Sequence, residues 1–139
     1  MTPGMPIKRA ADGSDRTRVL VIDDSRDAAD TLQVLLELDG YAVEVAYDGR
    51  RGLEAAARFR PDVVLCDISL PGLDGYGVAR ALREDEELRD TFLVAFSGYS
   101  DDEDRARSLG HGFDAHLAKP IEIEDLKVLV TRGRPKGAR

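Results

Sequence analysis

The run Asp62-Val63-Val64-Leu65-Cys66-Asp67, with Leu70-Pro71-Gly72-Leu73-Asp74-Gly75 close behind it, decides the fold. Its apolar stretch is nearly continuous, as in a strand covered on both faces, and such strands belong to parallel sheets. The stretch ends on a carboxylate and then enters a cluster of turn-forming residues. Three other runs are built alike. Val19-Leu20-Val21-Ile22 ends on Asp23-Asp24, Phe92-Leu93-Val94-Ala95-Phe96 on Ser97, and Ala115-His116-Leu117-Ala118 on Lys119-Pro120. In open parallel α/β sheets, ligands bind just outside the carboxyl ends of the strands. If these runs are neighbouring parallel strands, three carboxylates, a hydroxyl and an ammonium converge on one pocket.

Working outward, the chain alternates strand and helix five times. Strands are expected at 18–23, 42–46, 62–67, 91–97 and 114–118, and helices at 25–39, 49–60, 76–84, 101–109 and 121–130. In the first helix Leu32, Leu35, Leu36, Ala28 and Ala29 fall at helical spacing. Gly40 is placed to stop it, and Pro61 stops the second, because the residue before proline is pushed out of the helical region. The fourth helix is highly charged, with Ala106 and Leu109 nearly its only apolar anchors. Strands alternating with helices imply right-handed crossovers and a doubly wound α/β sheet with helices on both faces.

A length of 139 residues suits a single core. We expect one domain over 17–131, flanked by tails at 1–16 and 132–139. No apolar stretch approaches a membrane span, and the N-terminus lacks the apolar core of a secretory signal. The one cysteine, Cys66, lies inside an apolar run and reads as a small buried hydrophobe in a reducing, cytoplasmic protein. Net charge is −7, but residues 1–18 carry +2 and residues 131–139 carry +4, leaving −13 on the body. Such a body repels nucleic acid phosphates and suits a cation or a basic partner surface.

Each strand-end residue has a plain structural reading: Asp24 or Ser25 as a helix cap, Asp67 and Ser97 as turn caps, Lys119 as a solvated charge. Together they fit one reaction better. Two carboxylates at ~4 Å repel by roughly 4 kcal/mol at an effective dielectric near 20, so three converging ones need protonation or a cation. Hard oxygen ligands suit Mg²⁺, with Mn²⁺ as the alternative ion. Neither His111 nor His116 pairs with Cys66 at a zinc-like spacing. With a metal bound, Asp67 at the end of the central strand is the best nucleophile towards phosphorus. Lys119 supplies fixed positive charge, and Ser97 a hydroxyl for a phosphoryl oxygen. Nucleotide-binding glycine loops are absent after the first strand.

Asp23-Asp24, Asp67, Ser97 and Lys119-Pro120, with Leu70-Pro71-Gly72-Leu73-Asp74-Gly75-Tyr76, resemble the receiver domain of two-component response regulators. The resemblance covers about 18–130 and implies a flavodoxin-like sheet in the order 2-1-3-4-5 with five helices. It implies that Asp67 accepts a phosphoryl group from a phosphohistidine on a sensor histidine kinase or a histidine phosphotransfer protein. Asp23, Asp24, Asp67 and the backbone carbonyl of Ser69 would hold Mg²⁺, and Lys119 would pair with the phosphoryl group. The Lys119–Pro120 peptide would be cis, and Ser97 would swing towards the phosphoryl group. A downstream protein would dock on the face of the fourth helix, fifth strand and fifth helix. The expected protein is thus a stand-alone phosphoacceptor switch, with its oligomeric state left open.

The sequence departs from the family at its second switch position, where His116 replaces the common Tyr or Phe. It reads foremost as a space-filling edge-strand residue, with a pH-tuned switch as the rival. Histidine there also resembles the receivers of hybrid sensor histidine kinases. An aspartate-nucleophile phosphatase is the enzyme alternative. It needs a second acid two residues past the nucleophile, where Ser69 stands. Asp101-Asp102-Glu103-Asp104 reads as an acidic first turn suited to the helix dipole. Arg132-Gly133-Arg134-Pro135-Lys136 resembles the core of an AT-hook, but on an acidic body DNA is not expected as a partner.

Overall fold

A computed structural model describes residues 16–98 and 102–132, the side chains of 102–104 and 132 excepted. Five parallel strands form one sheet: β1 (Arg18–Ile22), β2 (Ala42–Ala46), β3 (Val63–Asp67), β4 (Phe92–Ser97) and β5 (Ala115–Ala118). Their order is β2-β1-β3-β4-β5. The intervening helices are α1 (Arg26–Leu38), α2 (Gly49–Phe59), α3 (Gly75–Glu84), α4 (Asp102–Gly110) and α5 (Ile123–Arg132).

The strands alternate their side chains between two cores, as a period of two requires. Leu20, Ile22, Val64, Cys66, Leu93 and Ala95 pack with Ala55 and Ala56 of α2 and Val78, Ala79 and Leu82 of α3. Val19, Val21, Val63, Leu65, Val94 and Phe96 pack with Ala29, Leu32 and Leu36 of α1 and Leu126, Leu129 and Val130 of α5. Both faces of β1 and β3 are covered, which is why those runs contain no polar alternation.

Local chemistry sets the helix ends. Ser25, Asp48 and Asp74 cap α1, α2 and α3, each side chain accepting a backbone N–H. At the end of α1, Gly40 adopts φ +95° and donates its N–H to Glu37 O, while Tyr41 N–H reaches Leu36 O. That is a Schellman closure, and it needs the left-handed residue glycine supplies. Helix α2 stops at Phe59, with Arg60 taking a left-handed φ of 52° before Pro61.

Two expectations about helix faces are corrected. In α1, Leu35 and Ala28 are exposed, and the buried stripe is Ala29, Leu32 and Leu36. In α4, Ala106 and Leu109 point outward, with Leu109 52 % exposed. Among the described side chains of α4, at 105–110, the inward residue is Ser108, which is fully buried. An apolar count along α4 therefore selects the wrong face, because this helix meets the sheet through a hydroxyl.

Candidate phosphoacceptor site

Sheet register brings the strand-end residues together. Ile22 lies opposite Cys66, so Asp23 follows β1 beside Asp67 at the end of β3. Ser97 lies opposite Ala118, which places Lys119 just beyond the end of β4. Asp23 and Asp67 are buried and Asp24 is exposed. One carboxylate oxygen from each of the three lies within 4.8 Å of the others. They sit where the connections from β1 and β3 diverge to opposite faces, the place open α/β sheets use for ligands.

Two of the three carboxylates are held by backbone N–H groups. Asp23 Oδ1 accepts the Ser25 N–H at 3.0 Å, and Asp67 Oδ1 accepts the Ser69 N–H at 2.9 Å. Lys119 Nζ donates to Asp67 Oδ2 at 2.8 Å, stands 4.0 Å from Asp23 Oδ2, and lies 5.3 Å from the centre of the Phe96 ring. The Lys119–Pro120 peptide is cis. Burial opposes charge on Lys119, but the Asp67 hydrogen bond and the charges of Asp67, Asp23 and Asp24 outweigh it and raise the ammonium pKa. Asp23 behaves oppositely. Burial above all, with the Asp67 charge adding, outweighs the Ser25 N–H and Lys119 and raises its pKa to about 6.

Asp23 Oδ2 is buried with no hydrogen-bond partner. An orphaned carboxylate oxygen inside a triple-carboxylate cluster costs free energy unless something cationic satisfies it. The donor set consists of hard oxygens, so it fits Mg²⁺ or Mn²⁺. Cys66 plays no part in such a set. It is fully buried, and burial foremost, with the nearby carboxylates, drives its thiol pKa far up.

Ser97 and His116 are both buried and touch: Ser97 Oγ lies 3.2 Å from His116 Nε2. The other ring nitrogen, Nδ1, lies 2.9 Å from Ser108 Oγ. His116 is therefore more than a space-filling edge residue. Ser108 was missed from sequence, where a serine between Ala106 and Leu109 carries no periodic signal. A further cluster ties α1 to the residue that follows β2. Tyr47 Oη donates to Asp30 at 2.6 Å, and the Arg26 guanidinium lies 4.1 Å from the Tyr47 ring centre.

This fold and site define a class: a flavodoxin-like α/β domain carrying an acidic cluster and a lysine at the carboxyl edge of its sheet. The chain belongs to the response regulator receiver domain family, whose profile matches residues 19–131. It is 40% identical over 110 residues to the response regulator MprA of Mycolicibacterium vanbaalenii, covering 78% of this chain and 46% of that protein. The chain spans about half the length of the curated relatives it matches. Among solved structures it resembles the chemotaxis protein CheY4 of Vibrio cholerae. The TM-score is 0.80 at 28% identity, over 84% of this chain and 98% of that one. It also resembles the receiver domain of the sensor histidine kinase PA1611 of Pseudomonas aeruginosa, solved with magnesium coordinated in its active-site cleft. There the TM-score is 0.77 at 30% identity, over 84% and 96% of the two chains. Receiver domains are phosphoacceptor switches that interact with histidine kinases and downstream effectors. Among the described residues, no helix is long and apolar enough to cross a membrane.

Proposed function

We propose that Asp67 accepts a phosphoryl group from a phosphohistidine of a kinase or histidine phosphotransfer partner, in a reaction that depends on a divalent cation. The observation that carries this reading is the Asp67–Lys119 contact of 2.8 Å beside the orphaned oxygen of Asp23. Asp23, Asp24, Asp67 and the Ser69 carbonyl are the groups that would hold Mg²⁺. Bound there, the ion neutralises the carboxylates and offers coordination to phosphoryl oxygens.

The chain's own residues do the rest. The Ser69 N–H and Lys119 fix both oxygens of Asp67, so the carboxylate is oriented before a donor arrives. An Asp67 oxygen bonds to phosphorus as the phosphorus–nitrogen bond of the donor breaks, and the electron pair leaves with the imidazole nitrogen. Lys119 then balances charge on the transferred group, and the Ser97 hydroxyl bonds one of its oxygens. Ser69 offers no carboxyl group for rapid turnover, which favours a switch over a phosphatase. For output, an open groove of about 450 Å³ lies between α4, β5 and α5, with Leu109 and Val128 exposed along it. A downstream protein would dock there.

Incubation with acetyl phosphate and Mg²⁺ tests the reading. The expected product is a chain carrying one hydroxylamine-sensitive phosphate, absent from Asp67→Asn and absent when the metal is chelated. Phosphate that persists in Asp67→Asn overturns Asp67 as the acceptor. Steady hydrolysis of a small phosphate ester without a stable phosphoprotein favours the phosphatase.

A further inference from the structure

Helix α1 is apolar on its outer face as well as its inner one. Val34 is 55 % exposed, Leu35 38 % and Leu38 79 %. An open groove of about 390 Å³ runs past Thr31, Val34 and Leu35, with Asp27 and Asp30 towards the start of the helix. The rim is acidic, since Asp27, Asp30, Glu37 and Asp39 stand against Arg26 alone on this stretch of chain. The last turn of α1 contains no basic residue, although a helix C-terminus favours cations. Lys127 of α5 supplies one, bonded to Asp39 at 3.0 Å. Three apolar side chains fall far short of the ~20–30 residues a side of a stable association, and two such acidic faces repel each other. The patch suits a tethered ligand, which acts at an effective concentration of about millimolar.

We propose that Met5-Pro6-Ile7-Lys8-Arg9 is that ligand: the N-terminal segment folds back along α1 and covers Val34, Leu35 and Leu38. Residues 1–15 lie outside the described residues, which begin beside the end of this helix. A helix between two parallel strands runs back against them, so α1 ends at the edge of the sheet where β1 starts. There the Thr17 carbonyl accepts the Ala42 N–H at 3.0 Å, close in sequence to Leu38. Asp12-Gly13-Ser14-Asp15, just ahead of that edge, are turn formers. A reversal there sends the preceding residues along α1. Reach is ample, because the segment 1–15 spans up to about 50 Å extended and α1 is about 20 Å long.

Spacing and charge both fit. Pro6 holds Met5 out of the helical region, so the stretch reads as extended. Met5, Ile7 and Arg9 then share one side. Two residues of extended chain rise about 6.6 Å, and Val34 to Leu38 rise about 6 Å along the helix. With Met5 on Val34 and Leu35, Ile7 meets Leu38, and Arg9 reaches the acidic end of the helix at Glu37 and Asp39. Residues 1–11 contain Lys8 and Arg9 and no acid, so their sign opposes that of the rim. A protein partner that uses α1 binds with an apparent affinity scaled by the uncovered fraction. Nothing in the cover depends on the chemistry of Asp67.

The test is paramagnetic relaxation in the full chain, with a nitroxide on Gly4→Cys. Cys66 is fully buried and does not take the label. Amide signals of 31–38 should weaken at least about twofold more than those of α2, which packs on the opposite face of the sheet. Ile7→Asp and Leu38→Asp leave the described core untouched, and each should remove at least about half of that excess. An excess that survives either substitution overturns the cover, as does equal weakening of α1 and α2. A mixture of nitroxide-bearing ¹⁴N chain with label-free ¹⁵N chain tests the other occupant. Weakening of 31–38 in that mixture assigns the face to a second copy and overturns the proposal. Unchanged signals there support the N-terminal segment as the occupant.

Discussion

At the residue scale, Asp23 is the group whose energetics the rest of the site must accommodate. It is fully buried, one of its oxygens lacks a hydrogen bond, and its pKa rises to about 6. A carboxyl whose folded pKa lies above its unfolded value binds its proton more tightly when folded. Its favourable contribution is complete below about pH 4 and is lost as pH rises through about 6. A shift of about two units corresponds to a full effect of about 3 kcal/mol at neutral pH. Asp23→Asn should therefore melt above the wild-type protein at pH 7 without metal, by a margin that vanishes towards pH 4. Thermal unfolding in chelator across that range checks it, and a margin that does not vary with pH rules out Asp23 as the source. The same ionisation gives Mg²⁺ its purchase. Metal should raise the wild-type melting temperature at pH 7 far more than at pH 4, and should raise that of Asp23→Asn little at either.

At the element scale, the turn from β3 into α3 is packed against backbone. A Cβ at Gly75 would fall 2.6 Å from Ile68 Cα and 2.7 Å from the Asp67 carbonyl oxygen, neither of which can rotate away. At Gly52, in α2, the nearest atoms belong to the Ile22 side chain, the closest being Cδ1 at 2.5 Å. Both alanine variants overpack a core and should lose about 1–3 kcal/mol in urea unfolding. Only Gly75→Ala should also slow phosphorylation by acetyl phosphate, because it displaces the turn that carries Asp67. Equal slowing in Gly52→Ala would show a general loss of packing instead. Legibility in the sequence divides along the same lines. Strands β1, β3 and β4 were readable because burial on both faces leaves apolar runs that end where the sheet ends. Asp23, Asp67 and Lys119 were readable as a site because register aligns those ends. The inward face of helix α4 was misread because the buried residue among its described side chains is a serine, and apolar periodicity is blind to a polar anchor. His116 was readable as a departure but not as a bridge, since its partners Ser97 and Ser108 come from two other elements. That pairing is tertiary and leaves no mark on spacing.

At the scale of the whole molecule, charge separates the partners the fold can serve. The body carries −13 and the acidic cluster lies at one edge of the sheet, while residues 131–139 carry +4. Residues 133–139 lie outside the described residues, so the AT-hook resemblance of Arg132–Lys136 stands on sequence alone. Duplex binding driven by a few cations gains by releasing counterions, with a salt slope near −0.9 per neutralised phosphate. Here those cations are tethered to a body of opposite sign, which repels the same phosphates across a Debye length of about 10 Å at 0.1 M salt. Repulsion from −13 should cancel attraction from +4 except at very low ionic strength. The expected outcome of a gel shift on A·T-rich duplex is equal, weak retention of the full chain and of a chain ending at Arg132, with no resolvable salt slope. Retention lost on removing 133–139, with a slope of several counterions, would instead make the tail a minor-groove ligand. Charge on the body would then set its salt tolerance rather than forbid it.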